Sequence, residues 1–256
     1  MRRVFCPTLP GAGQQVEIPE DEATHLVRVL RLGAGDEIEI LDGGGRAVKA
    51  MIELRGKKAF ARSLEGQDDS ALRLPAPCEV IPVTLEMAVL KGEAMEWAVE
   101  KAVELGIREL APFISANTVV QTGRKSPEEF RERWQRIADQ SLKQCGRLTS
   151  LRVHAPVGLE ERIARTAGTG KARLWCDEAT RDRSKDLGLW LEEHRSPGLP
   201  DELRLLVGPE GGWNPKELGL LERESSRVSL GPLVLRAETA VLYGCALLAD
   251  AYRRQS

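Results

Sequence analysis

The stretch Leu205–Asn214, LLVGPEGGWN, begins as an apolar run and ends in three glycines, a proline, a lone carboxylate and a tryptophan. Its first half reads as a buried strand. Glycine loses more conformational freedom on folding than any other residue, so three of them directly after a strand need a geometric reason. Either a tight turn demands positive φ, or a ligand must come close to bare backbone. In open α/β sheets ligands bind outside the carboxyl ends of strands, which is where these glycines fall.

Two neighbouring stretches repeat the arrangement. ARLWCDE (172–178) reads as a strand running into CDEATRD, and RVSL (227–230) as a strand running into GPLVLRAET. Upstream, VTLEMAVL (83–90) and IRELAPFIS (107–115) read as further strands, separated by EAMEWAVEKAVELG. In that segment Met95, Val99, Ala102 and Val103 recur at helical spacing, and Gly106 stands at the helix C-terminus. SPEE (126–129) opens another helix, with Ser126 as cap, Pro127 in the first turn and Glu129 completing a capping box. Phe130, Trp134, Ile137 and Leu142 give that helix its apolar stripe. Asn214 caps a helix over NPKELGLLERE, and Val241, Leu242, Cys245, Leu248, Ala249 and Tyr252 line one side of a long terminal helix. Strands alternating with helices predict an α/β fold with a mostly parallel sheet and helices on both faces.

The N-terminal part reads differently. DEIEILD and RAVKAMIEL flank the glycines of DGGGR as two strands around a tight turn, and KAFARSLEG adds another strand. EDEATHLVRVLRL supplies one short helical turn. A small β-barrel-like domain over 1–72 is expected, followed by an α/β domain over 73–256, because GQDDSALRLPAPCEVIP is rich in Gly, Asp and Pro and has no period.

Composition narrows the function classes. The chain has 256 residues, with Lys and Arg numbering 37 against 39 Asp and Glu, for a net charge of −2. This balance argues against an indiscriminate polyanion binder while leaving room for a local basic patch. No run approaches a membrane span and the basic N-terminus lacks an apolar core, so a cytoplasmic protein is expected. Cys6, Cys78, Cys145, Cys176 and Cys245 stand singly, as do His25, His154 and His194, so no metal site is expected. GxGxxG, GxxxxGKS/T and GxSxG are all missing, which weakens dinucleotide, P-loop and serine-nucleophile readings.

LLVGPEGGWNPKE followed by VSLGPLVLRAETAVLYGCALL resembles the signature of the SPOUT-class RNA methyltransferases, specifically the bacterial small-subunit ribosomal RNA uracil-N3 methyltransferases. MRRVF and HLVRVLRLGAGDEIEILDG are similar to the PUA-like RNA-binding domain of that family. LKGEAMEWAVEKAVELGIRELAPFIS and QCGR (144–147) match its central blocks. The resemblance implies a C-terminal SPOUT domain tied in a deep trefoil knot, a bent S-adenosylmethionine in the loops, a homodimer built partly on the last helix, and small-subunit ribosomal RNA or the assembled subunit as substrate. It also implies that Leu206, Val207, Gly208, Glu210, Gly211 and Gly212 form one cofactor loop, and Leu230, Gly231, Leu233 and Leu235 a second against the adenine. Gly208, Gly211 and Gly212 would then let backbone meet the cofactor.

The implied reaction needs alignment and deprotonation more than covalent help. Alignment of N3 with the methyl carbon is worth on the order of 7 to 11 kcal/mol in well-oriented models. Each pKa unit by which the site favours the uracil anion contributes about 1.4 kcal/mol. Arg236 is the candidate catalytic cation, with a salt bridge to Glu210 or Glu238 as the competing reading; the base is left unassigned. Arg2, Arg3, Arg28, Arg31 and Arg147 are the candidate RNA contacts, Arg28 and Arg31 sharing a helical face by their spacing. The chain departs from the family pattern at Ala116 and Asn117, where Glu-Arg is common, and at Lys143, where Glu is common. A noncatalytic RNA-binding dimer and another nucleotide-binding α/β enzyme are the alternatives.

Overall fold

The computed structural model describes residues 2–56, 58–64, 74–76, 79–119, 126–166, 172–180, 182–196 and 198–255. Two compact units emerge, Met1–Glu79 with Asp139–Ser150, and Val80–Ala138 with Leu151–Ser256. The boundary expected between 72 and 73, like Cys78, lies outside the described residues. That 139–150 belongs with the first unit has no sign in the sequence, because the segment continues a helix begun at Pro127.

The first unit is built on a sheet of β1 (Arg2–Phe5), β2 (Gln15–Glu17), β3 (Glu37–Leu41), β4 (Ala47–Arg55) and β5 (Lys58–Ser63), in the order β1-β3-β4-β5-β2. β1 lies parallel to β3 and the other pairs are antiparallel. The β3–β4 turn is the expected one: Asp42 Oδ1 accepts from the Gly44 and Arg46 amides at 2.8 and 3.0 Å. Alternation along β3 and β4 sends Ile38, Ile40, Val48, Ala50 and Ile52 into one core with Val4 and Leu26. Helix α1 (Glu20–Thr24) runs directly into a π-helical turn, His25–Val29. Arg31 then adopts φ 57°, so Arg28 and Arg31 do not share a helical face, contrary to their spacing.

The second unit comprises β6 (Ile81–Ala88), α2 (Glu93–Glu104), β7 (Ile107–Ile114), α3 (Pro127–Cys145, which crosses into the first unit), β8 (Arg152–Val153), β9 (Val157–Gly158) and α4 (Leu159–Ala164). It continues with β10 (Ala172–Cys176), α5 (Leu187–Glu193), β11 (Leu203–Val207), α6 (Pro215–Glu224), β12 (Ser226–Val228) and α7 (Ala237–Arg253). The sheet runs β12-β10-β11-β6-β7-β8, with β9 also on β7, and each of these pairs is parallel. Ser126 and Glu129 form the capping box read at the start of α3: the Glu129 amide donates to Ser126 Oγ at 3.2 Å and the Ser126 amide to Glu129 Oε2 at 2.7 Å.

Successive residues of β11 face opposite ways, and both faces are covered. Leu205 meets α7, where a Cβ on Gly244 would fall 2.8 Å from Leu205 Cδ2, so this helix approaches the sheet at glycine distance. Leu206 packs with Trp175 and Phe113 against Leu159 and Ile163 of α4 and Leu221 of α6. Among these apolar strands Glu86 is fully buried and accepts from Arg173 Nε at 2.8 Å and Arg204 Nη1 at 3.1 Å. This charged group links β6, β10 and β11.

Because β6, β10, β11 and β12 are all parallel, their carboxyl ends emerge at one edge of the sheet. The loops carrying the three sequence motifs therefore leave the sheet side by side.

Candidate active site

The loop after β11 is held from two sides. Asn214 Oδ1 accepts from the Lys216 and Glu217 amides, both at 2.9 Å, and Glu217 Oε2 accepts from the Asn214 amide at 3.1 Å. The other Glu217 oxygen accepts from the Ala116 amide at 2.8 Å, and Asn117 Nδ2 donates to the carbonyls of Gly211 and Gly212, each at 3.0 Å. Trp213 lies against Phe113 and edge-on to Trp175, with ring centres 6.0 and 6.4 Å away.

Each glycine of GPEGG now has its own cause. A Cβ on Gly208 would lie 2.6 Å from the Trp213 ring, one on Gly211 would lie 2.9 Å from Asn117 Cβ, and Gly212 has φ 68°. The loop's own packing thus requires them, and the positive φ of Gly212 is the tight-turn reason that the sequence left open beside ligand approach.

The loop after β10 turns on Asp177, which is buried: Oδ1 accepts from the Ala179 amide at 3.0 Å and Oδ2 from Thr180 Oγ1 at 2.8 Å. Its charge faces Arg227 Nη1 at 3.5 Å. The loop after β12 is tied to the same region, since Ser229 donates its amide to Lys185 O at 2.7 Å and accepts at its carbonyl from Leu187 at 2.9 Å.

These loops enclose a cavity of about 560 Å³. Cys176, Asp177 and Glu178 line it from the first, Val207, Gly208, Pro209 and Glu210 from the second, and Ser229, Leu230, Gly231, Leu233, Val234, Leu235 and Arg236 from the third. Ala94 of α2 and Ala237, Glu238 and Ala240 of α7 complete the wall. Of the residues singled out in the sequence, Val207, Gly208, Glu210, Leu230, Gly231, Leu233, Leu235 and Arg236 meet here. Leu206, Gly211 and Gly212 are not among the lining residues: Leu206 points to the opposite core, and the two glycines turn toward Asn117. Gly231 combines φ 110° with open space where a Cβ would stand.

The wall carries four carboxylates and one guanidinium. Among the described residues Arg236 forms no salt bridge to Glu210 or Glu238, and neither acid holds the loop through backbone amides. Arg236 is the N-terminal cap residue of α7 and makes no side-chain capping bond. Burial, and secondarily the Asp177 charge, push the Cys176 thiol up to about 12, so the wall offers no thiolate nucleophile. Among the described residues no group of three His, Cys, Asp or Glu side chains is placed to hold a metal ion.

In the first unit Arg2, Arg28 and Arg31 are exposed and, among the described residues, carry no ion pair. Arg3 pairs with Glu39 at 3.0 Å and donates to Lys143 O at 3.1 Å. Arg147 departs from its expected role: it is 4 % exposed and bonds through Nε to Thr149 O, so its charge stays inside the unit. Burial lowers its pKa to about 10. Lys143, the other departure, pairs with Glu22 in a largely buried contact.

Asn117, Glu217 and Trp213 are the functional supports that sequence reasoning missed as such. In the sequence Asn117 stands out only as a departure from a common cation, and the capping-box spacing of Asn214 and Glu217 is the one signal for Glu217.

A family model described as an RNA methyltransferase domain matches residues 77–249, and an RNA methyltransferase PUA domain matches residues 18–61. The fold and cavity thus define a two-part protein of the methyltransferase class. The chain belongs to the RNA methyltransferase family. It is similar to ribosomal RNA small subunit methyltransferase E of Bacillus subtilis, with 30% identity over 251 residues covering 94% of each chain. The same-named protein of Synechocystis sp. is 33% identical over 219 residues, which span 84% of this chain and 66% of that one. Among solved structures, ribosomal RNA small subunit methyltransferase E from Neisseria gonorrhoeae bound to S-adenosyl methionine superposes with a TM-score of 0.80, at 28% identity and 98% coverage of both chains. A Legionella pneumophila protein in complex with the bound cofactor SAM gives 0.83, at 26% identity and 97% coverage of both.

Proposed function

We propose that the chain transfers a methyl group from S-adenosylmethionine to N3 of a uridine in small-subunit ribosomal RNA, acting as a cytoplasmic homodimer. The observation that carries this reading is the meeting of three strand-end loops around one cavity. The cavity suits the cofactor: one wall is apolar, from Leu230 to Leu235, and Gly231 leaves backbone open toward the space. When bound, S-adenosylmethionine supplies a methyl carbon made electrophilic by its sulfonium. Arg236 stabilises the negative charge that develops on the base as N3 loses its proton. Glu210 and Glu238, which have no partner among the described residues, are the acceptors the wall offers for that proton. Arg2, Arg28 and Arg31 contact phosphates and position the RNA without reading its sequence. The insertion of β11 between β10 and β6, with α7 returning onto β6 and β11, supports the threaded, knotted connection implied by the family resemblance.

The test is incubation of the protein with labelled S-adenosylmethionine and unmethylated small-subunit RNA or subunits, followed by nucleoside mass spectrometry. Appearance of 3-methyluridine is expected. Label appearing on another atom or another RNA, or not at all with either substrate, would contradict the reading.

A further inference from the structure

The charge on the wall has a consequence beyond catalysis. Asp177, Glu178, Glu210 and Glu238 line the cavity against the Arg236 guanidinium, and Arg227, which also pairs with Glu222, faces Asp177. Glu210 and Glu238 come from different elements, the loop after β11 and the first turn of α7, and among the described residues neither has a cation or backbone donor. Two unpaired acids at one cavity of about 560 Å³ create a field that favours positive ligands.

We infer that Glu210 and Glu238 make the cavity discriminate by ligand charge, holding the sulfonium cofactor more tightly than its neutral thioether product. This rests on the proposed function. In the transfer the S–CH3 bond breaks and the N3–CH3 bond forms; sulfur keeps the bonding pair and N3 gives its proton to a base. The ligand loses one positive charge while its shape scarcely changes. The two acids then lose their attraction for it, which favours product release after each turnover.

The experiment is calorimetric titration of the whole protein with S-adenosylmethionine, S-adenosylhomocysteine and adenosine, at low and high salt. A charge a few ångströms from a partly exposed carboxylate changes affinity by about threefold to tenfold. The sulfonium ligand should bind at least threefold more tightly than the thioether, and the ratio should shrink with salt. Glu210→Gln and Glu238→Gln should each lower the ratio, and together abolish it, while adenosine affinity stays constant and reports an intact cavity. A ratio unchanged in the double variant would overturn the inference and leave the proposed function standing. Failure of all three ligands to bind the unaltered protein would overturn both. If adenosine affinity falls in the double variant, the salt dependence in the unaltered protein decides: a ratio insensitive to salt overturns the inference.

Discussion

Asn117 reaches the carbonyls of both Gly211 and Gly212 with a single amide nitrogen, and its Cβ occupies the space a Gly211 side chain would need. The segment after β7 therefore sets the shape of the loop after β11, although 94 positions separate Asn117 from Gly211.

Asn117→Ala should loosen that loop. The bonds are exposed to solvent, so the loss of stability is about 1 kcal/mol by denaturant titration. S-adenosylmethionine affinity should fall several-fold more than this small loss suggests, because the freed loop must be reordered on binding. Unchanged affinity would show that the loop is held without Asn117.

Gly231→Ala tests a different wall. Its φ of 110° disfavours any side chain, and the added methyl enters open space at the cavity. A cost of roughly 1 to 2 kcal/mol in stability is expected, with a distinct loss of ligand affinity. Loss of stability with full affinity would place the ligand away from this turn.

Arg236→Ala should lower the rate constant of methyl transfer by about a hundredfold or more while the protein still binds the cofactor. The Arg236 side chain bonds no other described residue, and its carbonyl, which accepts from the Ala240 amide at 2.8 Å, is kept in the variant, so the fold should be unaffected. A comparable fall in cofactor affinity would make it a binding residue instead.

Glu86→Ala would leave Arg173 and Arg204 facing each other inside the sheet. Removing one partner of such a buried group costs about 3 to 5 kcal/mol, measurable as a lowered denaturation midpoint. A change near zero would mean that water reaches the two arginines.

The acid limb of stability has its own marker. His154 Nε2 lies 2.6 Å from Glu109 Oε2, and that hydrogen bond, with the His154, Arg108 and Arg152 charges, holds the Glu109 carboxyl down at about 2. A depressed carboxylate pKa stabilises the fold above its unfolded value, and the gain disappears as pH falls from about 4.5 toward 2. Glu109→Gln should flatten denaturation midpoints across that window. An unaltered pH profile would assign the acid limb to other groups.

Much of this architecture can be read from residue order. The strands of the catalytic unit announce themselves as apolar runs, and Asn214, Ser126 and Gly106 mark helix ends through local chemistry. The three motif loops could be placed at strand ends for the same reason. What stays hidden depends on distant partners. The two-residue strands β8 and β9 have too little length for a period, and α4 and α5 too few turns for a stripe. Arg147 looks like any exposed arginine until its burial is known, and the reasons for Gly208 and Gly211 lie in Trp213 and Asn117.

The loops after β10, β11 and β12 line one cavity, the proposed ligand site. Hydrogen exchange of the whole protein with and without saturating S-adenosylmethionine tests it most directly. Amides within 177–180, 208–212 and 229–236 should all slow together, at the same ligand concentration. Slowing confined to one of these segments, or found elsewhere in the chain while all three stay unchanged, would contradict the account.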